Sequence, residues 1–179
     1  MAQARLILDE LKKAKVTHVL TVPDNSSRTL LELLAADRTI PIVPVTREGE
    51  AFAIATGLWV GGKKPVVLIQ NTGLLETGDA LRGTAIRMRV PLVCLITYRG
   101  YAKLQASGIS TKAEALNASL LSRLDLDSVA LLTEPTLKAW SIPHYFLHED
   151  GDIAQISAAF RKAQELEQPV AVLITRDTT

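Results

Sequence analysis

The sequence predicts an α/β fold, a mostly parallel β-sheet with helices on both faces. Short β-branched runs alternate with stretches of helical periodicity, in units too brief for anything but strand–helix repeats. The strand runs are also continuously apolar ("PVVLIQ", "PLVCLITY", "PVAVLITR"), as strands covered on both faces must be. Size agrees, since 179 residues at 47% hydrophobic suit one compact domain over 1–179 with a substantial core.

Apolar residues Leu6, Ile7, Leu11 and Ala14 recur at helical spacing and predict a helix over 4–16. "THVLTV" (17–22), stopped by Pro23, is the first strand. A helix over 26–38 follows, with Ser26 or Ser27 as its N-cap. "IPIVPV" (40–45) is a strand whose prolines place it near an edge. The next helix begins near Glu48, runs to 60 and is closed by Gly61-Gly62. Only Thr56 interrupts its apolar surface beyond residue 50, so it is expected to be buried all round, with a subunit interface as one source of cover. A strand over 65–70, a helix from about 75 to 89 and a strand over 91–98 complete the alternation. Residues 99–112 read as an ordered loop, 113–124 and 131–140 as short helices, and 142–147 as a further strand. An amphipathic helix over 152–167 and a strand over 169–176 end the chain. There is no repeat, low-complexity linker or domain boundary.

Charge and composition exclude several function classes. Twenty basic and nineteen acidic side chains give a net charge of +1, and aromatics are 4%, so neither a phosphate-tracking nor a base-stacking surface is expected and nucleic acid is no partner. Cys94 lies within an apolar run and reads as a small core residue. A single cysteine forms no internal disulfide, which points to a reducing compartment. The first 16 residues carry acids within their apolar pattern and match neither a signal peptide nor a membrane span. A cytoplasmic protein without a membrane partner is the expectation.

In an open parallel sheet, ligands bind beyond the carboxyl ends of the strands. Four such ends carry polar clusters here: "PDNSS", "TREGE", "QNTG" and "TYRGY". Each alone is equally a cap or turn; together they outline a polar site on an apolar scaffold. No GxGxxG, P-loop or GxSxG motif is present. His18, His144 and His148 are isolated, and "HEDGD" (148–152) reads as a solvated turn, so no metal ligands are assigned. On the helix that follows "TRE", Glu48 shares a face with Phe52, Ala55 and Trp59, while Glu50 lies about 200° further round. Acids at a helix start complement its dipole, which is reason enough for one of the two.

"TREGEAFAIATG" followed by "KPVVLIQNTGL" resembles the pyrimidine-binding domain of thiamine diphosphate-dependent decarboxylases, in particular sulfopyruvate decarboxylase (alpha subunit) and the matching half of phosphonopyruvate decarboxylase. "VPDNSSRTLL", "YRG" and "PVAVLITRD" resemble the same family's first loop, fourth loop and final strand. The resemblance covers roughly residues 17–102 and the last ten. It implies that Glu48, nine residues before Gly57, hydrogen-bonds N1′ of the cofactor aminopyrimidine and so promotes loss of the C2 proton, a role Glu50 lacks the spacing for. It implies cofactor contacts at Asn71, Thr72 and Gly73, and polar substrate contacts at Asp24, Asn25, Ser26, Gln70 and Arg99. Amide and arginine donors suit the sulfonate or phosphonate of a small 2-keto acid.

The family's diphosphate site, marked by GDG and a later asparagine pair, is missing; "EDGDIAQ" holds DGD instead. The resemblance therefore implies a beta subunit holding the diphosphate and Mg²⁺, with the active site between the two chains. The apolar helix 48–62 would be interface, to that partner or to a second copy. The sequence departs from the family where "QNSGLGN" is replaced by "QNTGLLET". Another 2-keto acid decarboxylase or carboligase subunit, or a non-catalytic assembly module on the same fold, stays open.

Overall fold

The structure, a computed structural model, describes residues 3–179. Six strands are present among them: β1 (His18–Thr21), β2 (Ile42–Pro44), β3 (Pro65–Gln70), β4 (Val93–Thr97), β5 (His144–Leu147) and β6 (Val170–Ile174). They form one sheet in the order β2-β1-β3-β4-β6-β5, and every pairing is parallel. β2, the strand with prolines, is an edge strand as expected, and the 142–147 run supplies the other edge.

Helices α1 (Ala4–Lys13), α2 (Arg28–Asp37) and α9 (Ala154–Leu166) cover one face. Their buried residues, among them Ile7, Leu8, Leu11, Leu30, Leu34 and Ile156, pack on Val19, Val66, Leu68, Val93, Leu95, Val170 and Val172. The other face is covered by α3 (Glu48–Val60), by the helices that follow β3 and β4, and by α8 (Ser128–Ala139), on Leu20, Val67, Ile69, Cys94, Ile96, Ala171 and Leu173. Alternate strand residues thus feed opposite cores, which is why the runs read as continuously apolar. Cys94 is buried in β4, and burial pushes its thiol pKa well up, so it stays protonated.

Three expectations are corrected. α3 is not buried all round. Ala51, Phe52, Ala55 and Thr56 face the core, whereas Ile54 (41%), Trp59 (36%) and Val60 (63%) are exposed. An apolar outer surface hides no polar group, so composition could not separate cover by this chain from cover by another.

The helix after β3 begins at once, as α4 (Asn71–Glu76), and continues through the short α5 (Gly78–Ala80) into a π-helical turn, Leu81–Ile86. Gly73 in its first turn disfavours a helix on propensity alone. Finally, 101–107 is a helix, α6 (Tyr101–Ser107), between two left-handed glycines, Gly100 (φ +83) and Gly108 (φ +63). Its buried Leu104, and Tyr101 against Phe146 of β5, supply contacts that local periodicity does not announce. The remaining short helix, α7 (Ala118–Leu121), is capped by Asn117. "HEDGD" forms a capping turn ahead of α9, with Asp152 accepting from the backbone N–H of His148 and Glu149.

Candidate functional site

The sheet reverses its winding at β1, since β2 lies to one side of it and β3 to the other. Such a reversal opens a crevice at the carboxyl edge, and the loops after β1, β2 and β3 meet there. Three glutamates converge on the start of α3, and their partners separate them. Glu50 accepts from Thr46 twice, from the backbone N–H at 3.0 Å and from the hydroxyl at 2.9 Å. The hydroxyl first, then the backbone N–H, hold its carboxyl below the usual glutamate range. Glu76 reaches back from α4, accepting from Gly49 N–H at 2.8 Å and pairing with the Arg47 guanidinium at 2.8 Å. Both therefore satisfy the orphan donors or the dipole of the helix start.

Glu48 differs. It is half-buried and has no hydrogen-bond or ion-pair partner among the described residues. Its side chain lies across α4 at Gly73, where an added Cβ would stand only 2.3 Å from Glu48 Cγ and 2.5 Å from Cδ and Oε1. Gly73 is thus the one residue type that lets a carboxyl occupy this position.

Two residues earlier, Asn71 is fully buried. Its amide donates to the Arg99 carbonyl at 3.1 Å and to Thr133 Oγ1 at 3.0 Å, tying α4 to the β4 loop and to α8. Thr133 Oγ1 in turn donates to the Val129 carbonyl at 2.8 Å, and Asn71 Oδ1 remains buried without a partner. Thr72 is exposed, and its hydroxyl donates to Gln70 Oε1 at 2.9 Å.

After β1, the carboxylate of Asp24 accepts from Ser26 N–H (2.7 Å), Ser27 N–H (3.2 Å), Ser27 Oγ (2.9 Å) and Thr97 Oγ1 (3.2 Å). Asp24 is therefore committed to holding its loop against β4. Ser27 occupies the cap position of α2, but its hydroxyl serves Asp24 and not the helix. Asn25 is exposed, and Ser26 and Arg99 line a shared cavity at the ends of β4 and β6. Arg99 Nε donates to Asp127 at 2.8 Å. Glu48, Asn71 and Gly73 thus form one cluster, and Ser26 and Arg99 another, joined by the bond from Asn71 to the Arg99 carbonyl. Glu76, Thr133 and Asp127, which position these groups, lie 27, 62 and 28 residues from their partners and leave no local signal in the sequence.

Residues 1–118 match the family model for the thiamine pyrophosphate enzyme, N-terminal TPP binding domain. The chain belongs to the thiamine pyrophosphate enzyme N-terminal domain family. Among relatives of this family member, sulfopyruvate decarboxylase subunit alpha of Methanococcus maripaludis is 30% identical over 161 residues, 89% of this chain and 86% of the relative. The subunit of that name from Methanocaldococcus jannaschii is 33% identical over 99 residues, 55% of this chain and 59% of the relative. Phosphonopyruvate decarboxylase of Streptomyces hygroscopicus is 35% identical over 100 residues, and the matched stretch is 25% of its length. The fold is also that of part of benzoylformate decarboxylase from Polynucleobacter necessarius, with a TM-score of 0.67 at 22% identity over 98% of this chain and 30% of that one.

The residues present fit the pyrimidine end of thiamine diphosphate. An unpaired carboxyl stands at the carboxyl edge beside a glycine that leaves it room, and the buried Asn71 Oδ1 beyond is an unused acceptor. Among the described residues no helix is long and apolar enough to cross a membrane.

Proposed function

We propose that the chain is the pyrimidine-binding subunit of a thiamine diphosphate-dependent decarboxylase acting on sulfopyruvate or phosphonopyruvate, with Glu48 handling the proton at the pyrimidine ring. The observation that carries this reading is the unpaired Glu48 carboxyl beside Gly73, where Glu50 and Glu76 are each held by other groups. Bound thiamine diphosphate supplies the electron sink for loss of carbon dioxide from a 2-keto acid.

The chain's own residues have the remaining tasks on this side of the site. Glu48 holds a proton at ring nitrogen N1′, and the wall of Asn71, Thr72 and Gly73 sets the ring against it. Ser26, Gln70 and Arg99 offer donors to the acid, with Asn25 at the rim, while Asp24 keeps the first loop in place. A beta subunit holds the diphosphate and Mg²⁺; the names of the alpha-subunit relatives support a two-chain enzyme. The exposed Ile54, Trp59 and Val60 of α3 are the surface for that subunit or for a second copy, because an apolar helix face of this kind gains by being covered.

The test is co-expression with a chain carrying GDG and the asparagine pair, followed by assay of carbon dioxide release from both acids with cofactor and Mg²⁺. Glu48→Gln should lower kcat by roughly 10²- to 10⁴-fold, the usual worth of a positioned proton-transfer group. Glu50→Gln should leave kcat near wild type, because that carboxylate only complements the helix start. Equal losses in kcat, or none, overturn the assignment.

A further inference from the structure

The cavity at the ends of β4 and β6 holds about 380 Å³ and is lined by Ser26, Arg99, Tyr101, Lys103, Arg176 and Asp177 among others. Three cationic residues and one carboxylate share that lining, in a chain whose net charge is only +1. Strand register explains the clustering. Gln70 pairs with Thr97 and Thr97 with Ile174, so Arg99 and Arg176 each lie two residues beyond the same rung. Neighbouring strands are about 4.8 Å apart, which puts the end of β6 on the order of 10 Å from the end of β3. Arg99 is partly engaged by Asp127, but Lys103 and Arg176 have no ion-pair partner among the described residues. Tyr98, Tyr101 and Ile174 contribute apolar wall, and the volume suits one small acid. The cavity is tied to Glu48 through a single helix, because α4 carries Gly73 under Glu48 and anchors its first residue, Asn71, on the Arg99 carbonyl.

We infer that this cavity receives the terminal tetrahedral oxyanion of the substrate, a sulfonate or phosphonate, and that Lys103 and Arg176 are the residues that select it. The inference rests on the decarboxylase reading for its substrate class and adds two residues, Lys103 and Arg176, to which the sequence resemblance assigns no role. Arg176 follows β6, two strands beyond β3, so a bound acid would run along the carboxyl edge with its keto carbon toward β3.

The test uses the assembled two-chain enzyme with Lys103→Met, Arg176→Met and Arg176→Lys, and sulfopyruvate against pyruvate, which lacks the oxyanion. Each methionine variant should raise KM for sulfopyruvate roughly 10- to 100-fold, the loss of one charge-assisted contact. Its kcat and its KM for pyruvate should stay near wild type, with partial rescue in Arg176→Lys. Calorimetric titration with sulfoacetate, independent of turnover, should detect binding to the wild-type enzyme and none to the double methionine variant. Unchanged KM together with unchanged sulfoacetate binding overturns the inference. Sulfoacetate binding that depends on Lys103 and Arg176, in a wild-type enzyme that decarboxylates neither acid, leaves the cavity assignment standing and removes the decarboxylase reading alone.

Discussion

Gly73→Ala separates the folding of this chain from its chemistry. The new methyl would stand 2.3 Å from Glu48 Cγ and 2.5 Å from Oε1, whereas carbon atoms in contact sit at about 3.5–4.0 Å. The Glu48 carboxyl must therefore retreat by more than about 1 Å. Because Glu48 is half-buried and has no partner to lose, it can swing toward solvent at little cost. The backbone gains instead, since alanine is better than glycine inside a helix by about 0.5–1 kcal/mol. For a chain of this size that raises Tm by roughly 1–4 °C, or leaves it level if repacking takes up the gain. Activity should move the other way, because a displacement of about 1 Å in a reacting group costs on the order of 10²-fold in rate. Scanning fluorimetry on the chain and kcat on the two-chain enzyme read the two effects. The double variant Gly73→Ala/Glu48→Gln should be no slower than Glu48→Gln alone, as expected when both changes act through one carboxyl. A Gly73→Ala enzyme whose kcat stays within about threefold of wild type, against the ~10²-fold expected, would refute the positioning argument.

Gly100→Ala should behave in the opposite sense. Its φ of +83° is left-handed, and an added Cβ would stand 2.8 Å from Asp127 Cβ and 3.0 Å from Ala130 Cβ, so stability should fall by at least the 1–2 kcal/mol of the left-handed penalty, read as an earlier urea midpoint. At the far end of the molecule, Lys12, and then the Thr39 hydroxyl, hold the Asp37 carboxyl down to about 2. A lowered pKa stabilises the fold above the unfolded value near 4 and loses that contribution as pH falls toward 2. Asp37→Asn should accordingly be less stable than wild type at pH 7, with the gap narrowing as pH falls from about 4 through about 2, in denaturant titrations at a series of pH values.

What the sequence disclosed follows from how local the signals are. β3, β4 and β6 are buried almost throughout and so were readable as continuous apolar runs. β1, β2 and β5 were marked by shorter β-branched or aromatic runs, and the prolines of β2 marked an edge. The family resemblance separates Glu48 from Glu50 by spacing alone; the structure adds that Thr46 engages the Glu50 carboxylate. α6 was hidden because its two ends are glycines and its order comes from Tyr101 and Leu104 packing on distant elements. The early start of α4 was hidden because Gly73 serves the approach of Glu48 at the expense of helix propensity. Asp24 reads in the sequence as a polar substrate contact; three of its donors come from the neighbouring Ser26 and Ser27, and the fourth, Thr97, emerges only once β4 lies beside it. Lys103 and Arg176 stand 73 residues apart in the sequence, and only the pairing of β4 with β6 makes them neighbours.

The exposed outer face of α3 also has an optical consequence. The chain contains two tryptophans: Trp59 lies on that face, while Trp140 is partly buried with its ring 3.5 Å from where a Cβ on Gly78 would stand. Their emission therefore comes from two different settings, one that solvent reaches and one screened by the chain's own packing. Covering α3 would change the first and spare the second, so the molecule carries an intrinsic fluorescence gauge of its own state of assembly, with an internal reference and no added label.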